Sequence, residues 1–332
     1  PGPCREGVFF GFSVASERRG TSDQGLGGGN RVGLLLGRRR ATGSFEDSLN
    51  TMQTPFHRMA GGPAGVVLLV LCTLAARGQV DFWPDATVLD GTISASTTLT
   101  SDRVWRISGL TRVRTDPEAA SPTVLTIEPG TVIVAEAGTG ADVSALLAAR
   151  GARIDIRGFR NDPVIMTSVF DDLAGSLDET DAGQWGGLIV LGDAPLNSTR
   201  ASGTSTTPLE DTLVNLAVEP ENEGDLAFGG ENEADDSGSI RYLSMRFAGA
   251  LGSNGNAVDG LTLAGVGSDT TVRFVEVFAS RHDAFALRGG TVNLKNLAAA
   301  FAYDDGFDAD QGWIGKSQFW FSIQASNTEV RP

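Results

Sequence analysis

The thirteen residues FAYDDGFDADQGW, Phe301 to Trp313, set four aspartates, Asp304, Asp305, Asp308 and Asp310, among aromatics and glycines. Carboxylate oxygens at such close spacing suit Ca2+, a hard cation that takes about six to eight oxygen ligands. The pattern is not that of an EF-hand loop, because no Glu follows at the twelfth position and the flanking residues read as strand and turn. A structural role competes: an aspartate at a corner accepts hydrogen bonds from backbone N–H groups and fixes the turn. The triplet DGF at Asp305 has counterparts in DGL at Asp259 and DAF at Asp283. That repetition predicts one structural position in successive turns, with Phe285 and Phe307 pointing inward and stacked.

Other residues offer chemistry as well. Glu231, Asp235 and Asp236 lie in the acidic run EPENEGDLAFGGENEADDSG and form a second candidate calcium set, in a stretch whose simplest reading is a solvated loop. Arg281, His282 and Asp283, taken with Asp304 and Asp305, suggest a calcium-dependent lyase, in which carboxylates hold the ion and a basic residue abstracts a proton beside a uronate carboxyl. Paired aspartates could instead act as acid and base on a glycoside. The Gly-His-Gly arrangement of polygalacturonase-type hydrolases is absent, however, and a lone His in a turn such as His282 is more often a surface residue. Trp185 and Trp313, with Trp320, are candidates for stacking on sugar rings, or else for interior packing.

These residues sit in a chain of short strands. TVLTIEP, ARIDIRG, PVIMTSV, GGLIVLG, SIRYLSMRF, DGLTLAGV, TVRFVEVF, TVNLKNLA and SQFWFSI are short runs of seven to nine residues bounded by Gly, Pro, Asn or Asp. Helical periodicity is nearly absent; DVSALLAARG alone reads either way. Aligned from Ser239, Thr271 and Thr291, three strands share a hydroxyl residue, a β-branched or apolar residue and alternating apolar positions, with a period of about twenty residues. A unit that short cannot bury its own apolar face, so neighbouring units must stack and share a core. Without crossover helices, each strand then pairs in parallel with its counterpart in the next coil. The expectation is an all-β, parallel β-helix solenoid; a β-sandwich is the alternative, and it would need hairpin signals of which SNGNA is the closest match.

The first 78 residues differ from the rest. Pro1 to Thr51 shows no periodicity and reads as a disordered or mistranslated leader. Residues 52–78, with AGVVLLVLCTLAA and Ala76-Arg77-Gly78 before Gln79, read as a secretory signal peptide. Cys4 and Cys72 both fall before Gln79, so the mature domain, residues 79–332, would contain no disulfide. Within it, residues 197–238 read as an acidic loop insertion, and Asn197-Ser198-Thr199 formally matches a glycosylation sequon. The net charge is −15 over 332 residues, and the leader and signal are basic, so the mature domain is more acidic still. Such a surface repels nucleic acid and anionic headgroups and attracts cations. No membrane span is expected in the mature chain.

The ordered blocks LTIEPGTVIVAEAGTGADVSALLAARGARIDIRGFRNDPVIMTSVFDD, QWGGLIVLGDAPLN, GLTLAGVGSDTTVRFVEVFASRHDAFALRGGTVN and AYDDGFDADQGWIGKSQFWF resemble a family of bacterial exported right-handed β-helix proteins. These are uncharacterised secreted or surface proteins, often labelled lipoprotein or multidrug transporter. The resemblance runs from about Asp85 to Ile323. It implies export and a β-helix, not a reaction, and because members commonly continue beyond the W-x-G-K-x-Q-F-W-F motif it implies a C-terminal truncation. The expected function is an exported surface or extracellular binding or structural module, calcium-stabilised and in contact with polysaccharide or cell-surface components. A polysaccharide lyase or glycoside hydrolase on the same scaffold is the alternative.

Overall fold

The computed structural model describes residues 79–89, 91–197, 224–252 and 258–324. The leader, the signal segment, both cysteines and most of the sequon lie outside these residues. Eighteen strands are present among the described residues. They are β1 (Thr87–Leu89), β2 (Thr92–Ile93), β3 (Thr97–Leu99), β4 (Val104–Ile107), β5 (Leu110–Val113), β6 (Val124–Ile127), β7 (Val132–Ala135), β8 (Ala145–Ala148) and β9 (Arg153–Arg157) in the first half. The second half holds β10 (Val164–Ser168), β11 (Leu188–Leu191), β12 (Gly238–Arg246), β13 (Leu261–Ala264), β14 (Thr271–Phe278), β15 (Phe285–Arg288), β16 (Asn293–Ala300), β17 (Phe307–Asp310) and β18 (Ser317–Ile323).

All pairings between these strands are parallel, and each strand bonds to the one three places away or, later, two places away. The chain therefore winds past three faces in turn. The first carries β1, β4, β7 and β10, the second β2, β5, β8, β11, β13, β15 and β17, and the third β3, β6 and β9. A parallel connection returning to its own sheet turns right-handed, and the architecture is a right-handed parallel β-helix. The sandwich alternative fails on the strand direction.

In the C-terminal coils the third and first faces fuse. β12 pairs through Gly238–Arg241 with β9 and through Leu243–Met245 with β10. The residue at the join, Tyr242, has φ 50, and its counterparts Phe274, Asn296 and Phe319 have φ 56, 60 and 65. One left-handed residue bends each strand around the corner; the ladder skips that residue and resumes in the same register on its far side. The sequence alignment of Thr271 with Thr291 needs correcting, because Thr271 pairs with Asn293 and the local repeat is 22 residues. A shift of two keeps every side chain on its own face, so the alternation alone fits either phase.

Leu125, Ile127, Leu146, Ile154, Ile156, Leu188, Leu261, Phe285 and Leu287 fill the interior, all fully buried. Strands such as VIVA, ALLA and LIVL are apolar on both faces because their outer sides are covered too. Outside the second face, Ala145, Leu147, Ile189 and Leu191 pack under Leu196, Leu226 and Phe228. The described part of the acidic insertion is thus not simply a solvated loop: its Leu and Phe close the outside of the sheet. Outside the first face, Val132 and Val134 meet Trp83, Phe170 and Leu173.

Candidate functional site

The turn from the first face to the second brings the acidic triplets together. Gly260 N–H bonds to the Asp283 carbonyl, and Ala284 N–H to the Asp305 carbonyl, both at 2.9 Å. Asp259, Asp283 and Asp305 therefore hold the same place in three successive coils, as the triplet repeat implied. Two residues on, Leu261, Phe285 and Phe307 are in register, and the two phenyl rings stack with centroids 5.0 Å apart.

Burial separates the carboxylates into two layers. Asp259 is fully buried and Asp283 is 4% exposed. Asp259 accepts hydrogen bonds from His282 Nδ1 at 2.7 Å, Thr262 Oγ1 at 3.2 Å and an Arg288 guanidinium nitrogen at 3.5 Å. Asp283 accepts one from the Asp305 backbone N–H at 2.9 Å. Above this layer Asp304 lies 3.6 Å from His282 Nε2 and faces solvent. The hydrogen bond to Asp259 pushes the His282 pKa up to about 9. Burial, reinforced by the neighbouring charge of Asp259, raises that of Asp283 to about 7.

The four aspartates of the FAYDDGFDADQGW stretch do not converge on one point. Asp308 and Asp310 lie in β17, where the alternation of a strand turns both outward beside Arg288, at 3.9 and 3.2 Å. Asp304 and Asp305 instead join Asp283 of the preceding coil: one carboxylate oxygen from each lies within 4.8 Å of the others. A second such group is Asp259, His282 and Asp283. Of the basic residues, Arg288 enters the cluster, whereas Arg281 lies across Gly183. Once Phe285 is known to point inward, the period of two puts Ala286 and Arg288 outward, and that was the available signal for Arg288.

The second candidate set disperses. Asp236 pairs with Arg153; Asp235, 7% exposed, accepts hydrogen bonds from Ser237 Oγ at 2.8 Å and Gly267 N–H at 3.3 Å. Burial raises the Asp235 pKa, and Glu231 is exposed. Among the described residues the three do not bring their carboxylates together into one group of converging ligand atoms. Trp185 also needs correcting as a sugar contact: it is fully buried in the core and its indole N–H donates to the Arg246 carbonyl at 2.8 Å. Trp313 is half-buried, donating to the Val292 carbonyl at 3.1 Å and lying against Trp320, which stacks on Phe307 at 4.2 Å. The aromatic series thus closes the interior of the last coil.

A family model described as a pectate-lyase-like β-helix domain matches residues 91–330. The chain belongs to this family. No curated protein matches it, and no solved structure does. Membership accounts for the scaffold, and a scaffold of this kind carries unrelated activities, so the reaction or ligand must be argued from the residues. No helix among the described residues is long and apolar enough to cross a membrane.

Proposed function

We propose that this protein is an exported binding module, stabilised by calcium at the turn between its first and second faces and directed at extracellular polysaccharide or cell-surface components. The observation that carries the calcium reading is the convergence of Asp283, Asp304 and Asp305 from two successive coils. Oxygens bound to Ca2+ at about 2.3–2.6 Å lie up to about 5 Å from one another, which is the spacing found. Burial first, and the charge of Asp259 after it, raise the Asp283 pKa, and a divalent cation bound there would favour the ionised carboxylate. Export rests on the signal-like segment before Gln79.

The enzyme reading has one observation in its favour, an acid titrating near neutral pH beside Arg288. Yet Asp283 and Arg288 are 4% and 8% exposed, too enclosed to touch a polymer, and general acid–base catalysis needs contact with the reacting atoms. The binding reading is the better supported.

The test is thermal unfolding of the full chain in EGTA and in millimolar calcium, beside an Asp304→Asn/Asp305→Asn variant. A ligand that binds only the folded state raises the midpoint by mass action. A rise with calcium that the variant loses supports the site; identical midpoints in both conditions would return these aspartates to turn formation. Incubation with polyuronates, followed by ultraviolet absorbance for unsaturated products, tests the lyase alternative directly.

A further inference from the structure

Outside the first face, at the C-terminal ends of its strands, lies a cavity of about 190 Å³. Leu243, Met245, Val275 and Val277 point into the core, so alternation turns Arg246 of β12 and Glu276 and Phe278 of β14 outward, and these form its floor. Its wall is the segment after β10, from which Asp171, Leu173 and Leu177 line the space. That wall is tied in place. Asp171 accepts hydrogen bonds from Thr167 Oγ1 at 2.7 Å and the Leu173 N–H at 2.9 Å, and Asp172 from the Ala174 and Ser176 N–H groups at 2.8 and 3.0 Å. The Trp83 indole N–H donates to the Asp171 carbonyl at 2.8 Å. The cavity is therefore preformed.

Its polar groups carry both signs. Asp171 and Glu276 are 3% and 6% exposed, and the Arg246 side chain is 20% exposed. Ser244 links two of them, accepting from Arg246 Nε at 3.1 Å and donating to Glu276 at 3.2 Å. The terminal guanidinium nitrogens make no hydrogen bond among the described residues; Asp171 lies 3.9 Å from one of them, beyond hydrogen-bond reach. Beside these charges are apolar surfaces, Leu173, Leu177 and the edge-to-face pair Phe247 and Phe278, whose centroids are 5.7 Å apart. The second face is covered differently: Leu196, Leu226 and Phe228 close over Ile189 and Leu191. Holding three largely buried charged groups around an open space costs more than such an apolar lid, so covering the sheet does not account for them.

We infer that this cavity binds a free α-amino acid with an apolar side chain. The ligand carboxylate takes the two terminal nitrogens of Arg246, which present a fork to a carboxylate. The ammonium donates to Glu276, since a carboxylate offers about four acceptor sites, and the side chain lies against Leu173, Leu177, Phe247 and Phe278. A simple amine or a simple carboxylic acid of equal bulk would answer only one of the two signs. The volume is below the roughly 300–1,000 Å³ of sites for drug-sized ligands, which suits a molecule this small and not a polymer chain. The site shares no residue with the acidic turn, so it adds a second ligand to the binding reading and needs neither calcium nor polysaccharide.

The experiment is calorimetry of the full chain in EGTA with L-leucine and L-phenylalanine, beside glycine, isopentylamine and isocaproate. Both amino acids are expected to bind with millimolar or tighter affinity and to raise the melting midpoint, as a ligand of the folded state does. Each comparison compound lacks one recognised group and should bind roughly tenfold more weakly or worse. Arg246→Gln and Glu276→Gln should each lose about tenfold or more in affinity, as removal of one charged hydrogen-bond partner does. Leu177→Trp, on the partly exposed wall, should fill the space and abolish binding with the melting temperature unchanged, and it decides the matter where a charge variant fails to fold. The proposal is overturned if neither amino acid binds, if any comparison compound binds as tightly as leucine, or if Leu177→Trp or a folded charge variant binds as the wild type does.

Discussion

Asp259→Asn removes the charge around which the acidic turn is organised, and its effect can be worked from the geometry. Asp259 is fully buried and holds His282 Nδ1 at 2.7 Å. His282 is thereby held near 9 against an ordinary 6.5, worth about 3 kcal/mol at 1.36 kcal/mol per pKa unit. Breaking a buried charge pair by removing one partner costs about 3–5 kcal/mol in general, so the two estimates agree. Asp283 changes the sum little: it loses a like charge when Asp259 goes and an opposite one when His282 discharges. For a domain of this size about 3 kcal/mol corresponds to a midpoint lower by roughly 6–12 °C. A histidine raised in the folded state stabilises fully below its unfolded value and ceases to do so above its folded value. The gap between wild type and variant should therefore be complete at pH 6 and shrink as pH passes 9, leaving what Arg288 and Thr262 lose. The assay is circular dichroism melting from pH 6 to 10 in EGTA, with His282→Gln as the variant that should abolish the pH dependence. A gap below about 2 °C at pH 6, or one unchanged across the range, would refute the pairing.

Three further outcomes follow from single residues. Asp283, held near 7 against an ordinary 3.8, loses stability for the fold as pH rises from 4 through 7. Asp283→Asn, whose side-chain oxygen still accepts the Asp305 N–H, should therefore match wild type at pH 4 and exceed it by about 2–4 kcal/mol at pH 8 in EGTA, as urea titration would show. Gly187 has φ 141, and a Cβ there would lie 2.3 Å from the Asp259 carbonyl oxygen and 2.4 Å from that of Gly260; Gly187→Ala should cost about 3 kcal/mol or more in the same titration. Phe285→Ala opens the stack on Phe307 and should cost about 3–5 kcal/mol, whereas exposed Phe274→Ala should cost less than about 1 kcal/mol.

The parallel pairing and the shared place of Asp259, Asp283 and Asp305 were legible in the sequence because a solenoid repeats its own pattern. What escaped was whatever depends on phase or on contact between coils. Asp308 and Asp310 looked like neighbours of Asp304, but β17 turns them toward Arg288 while Asp304 and Asp305 meet Asp283 of the coil before. Trp185 read either as a sugar contact or as interior packing; the close approach of neighbouring coils to Gly186 and Gly187 and its full burial decide for the interior. Leu226 and Phe228 stand out in the acidic run only once one sees that β8 and β11 have apolar outer faces to be covered.

The two charged columns of this molecule obey one geometric rule and differ in their compensation. Stacking coils in register turns any residue repeated at a fixed position into a line of like groups at the strand spacing. At the acidic turn, His282 and Arg288 are inserted between Asp259, Asp283 and Asp310, and the buried members are hydrogen-bonded, as a folding element requires. Where β12, β14 and β16 bend, Arg241, Arg273 and Lys295 stand in register on adjacent strands with nothing inserted between them. A repeat protein can relieve such a column by changing one coil, as Gln318 does in the last rung.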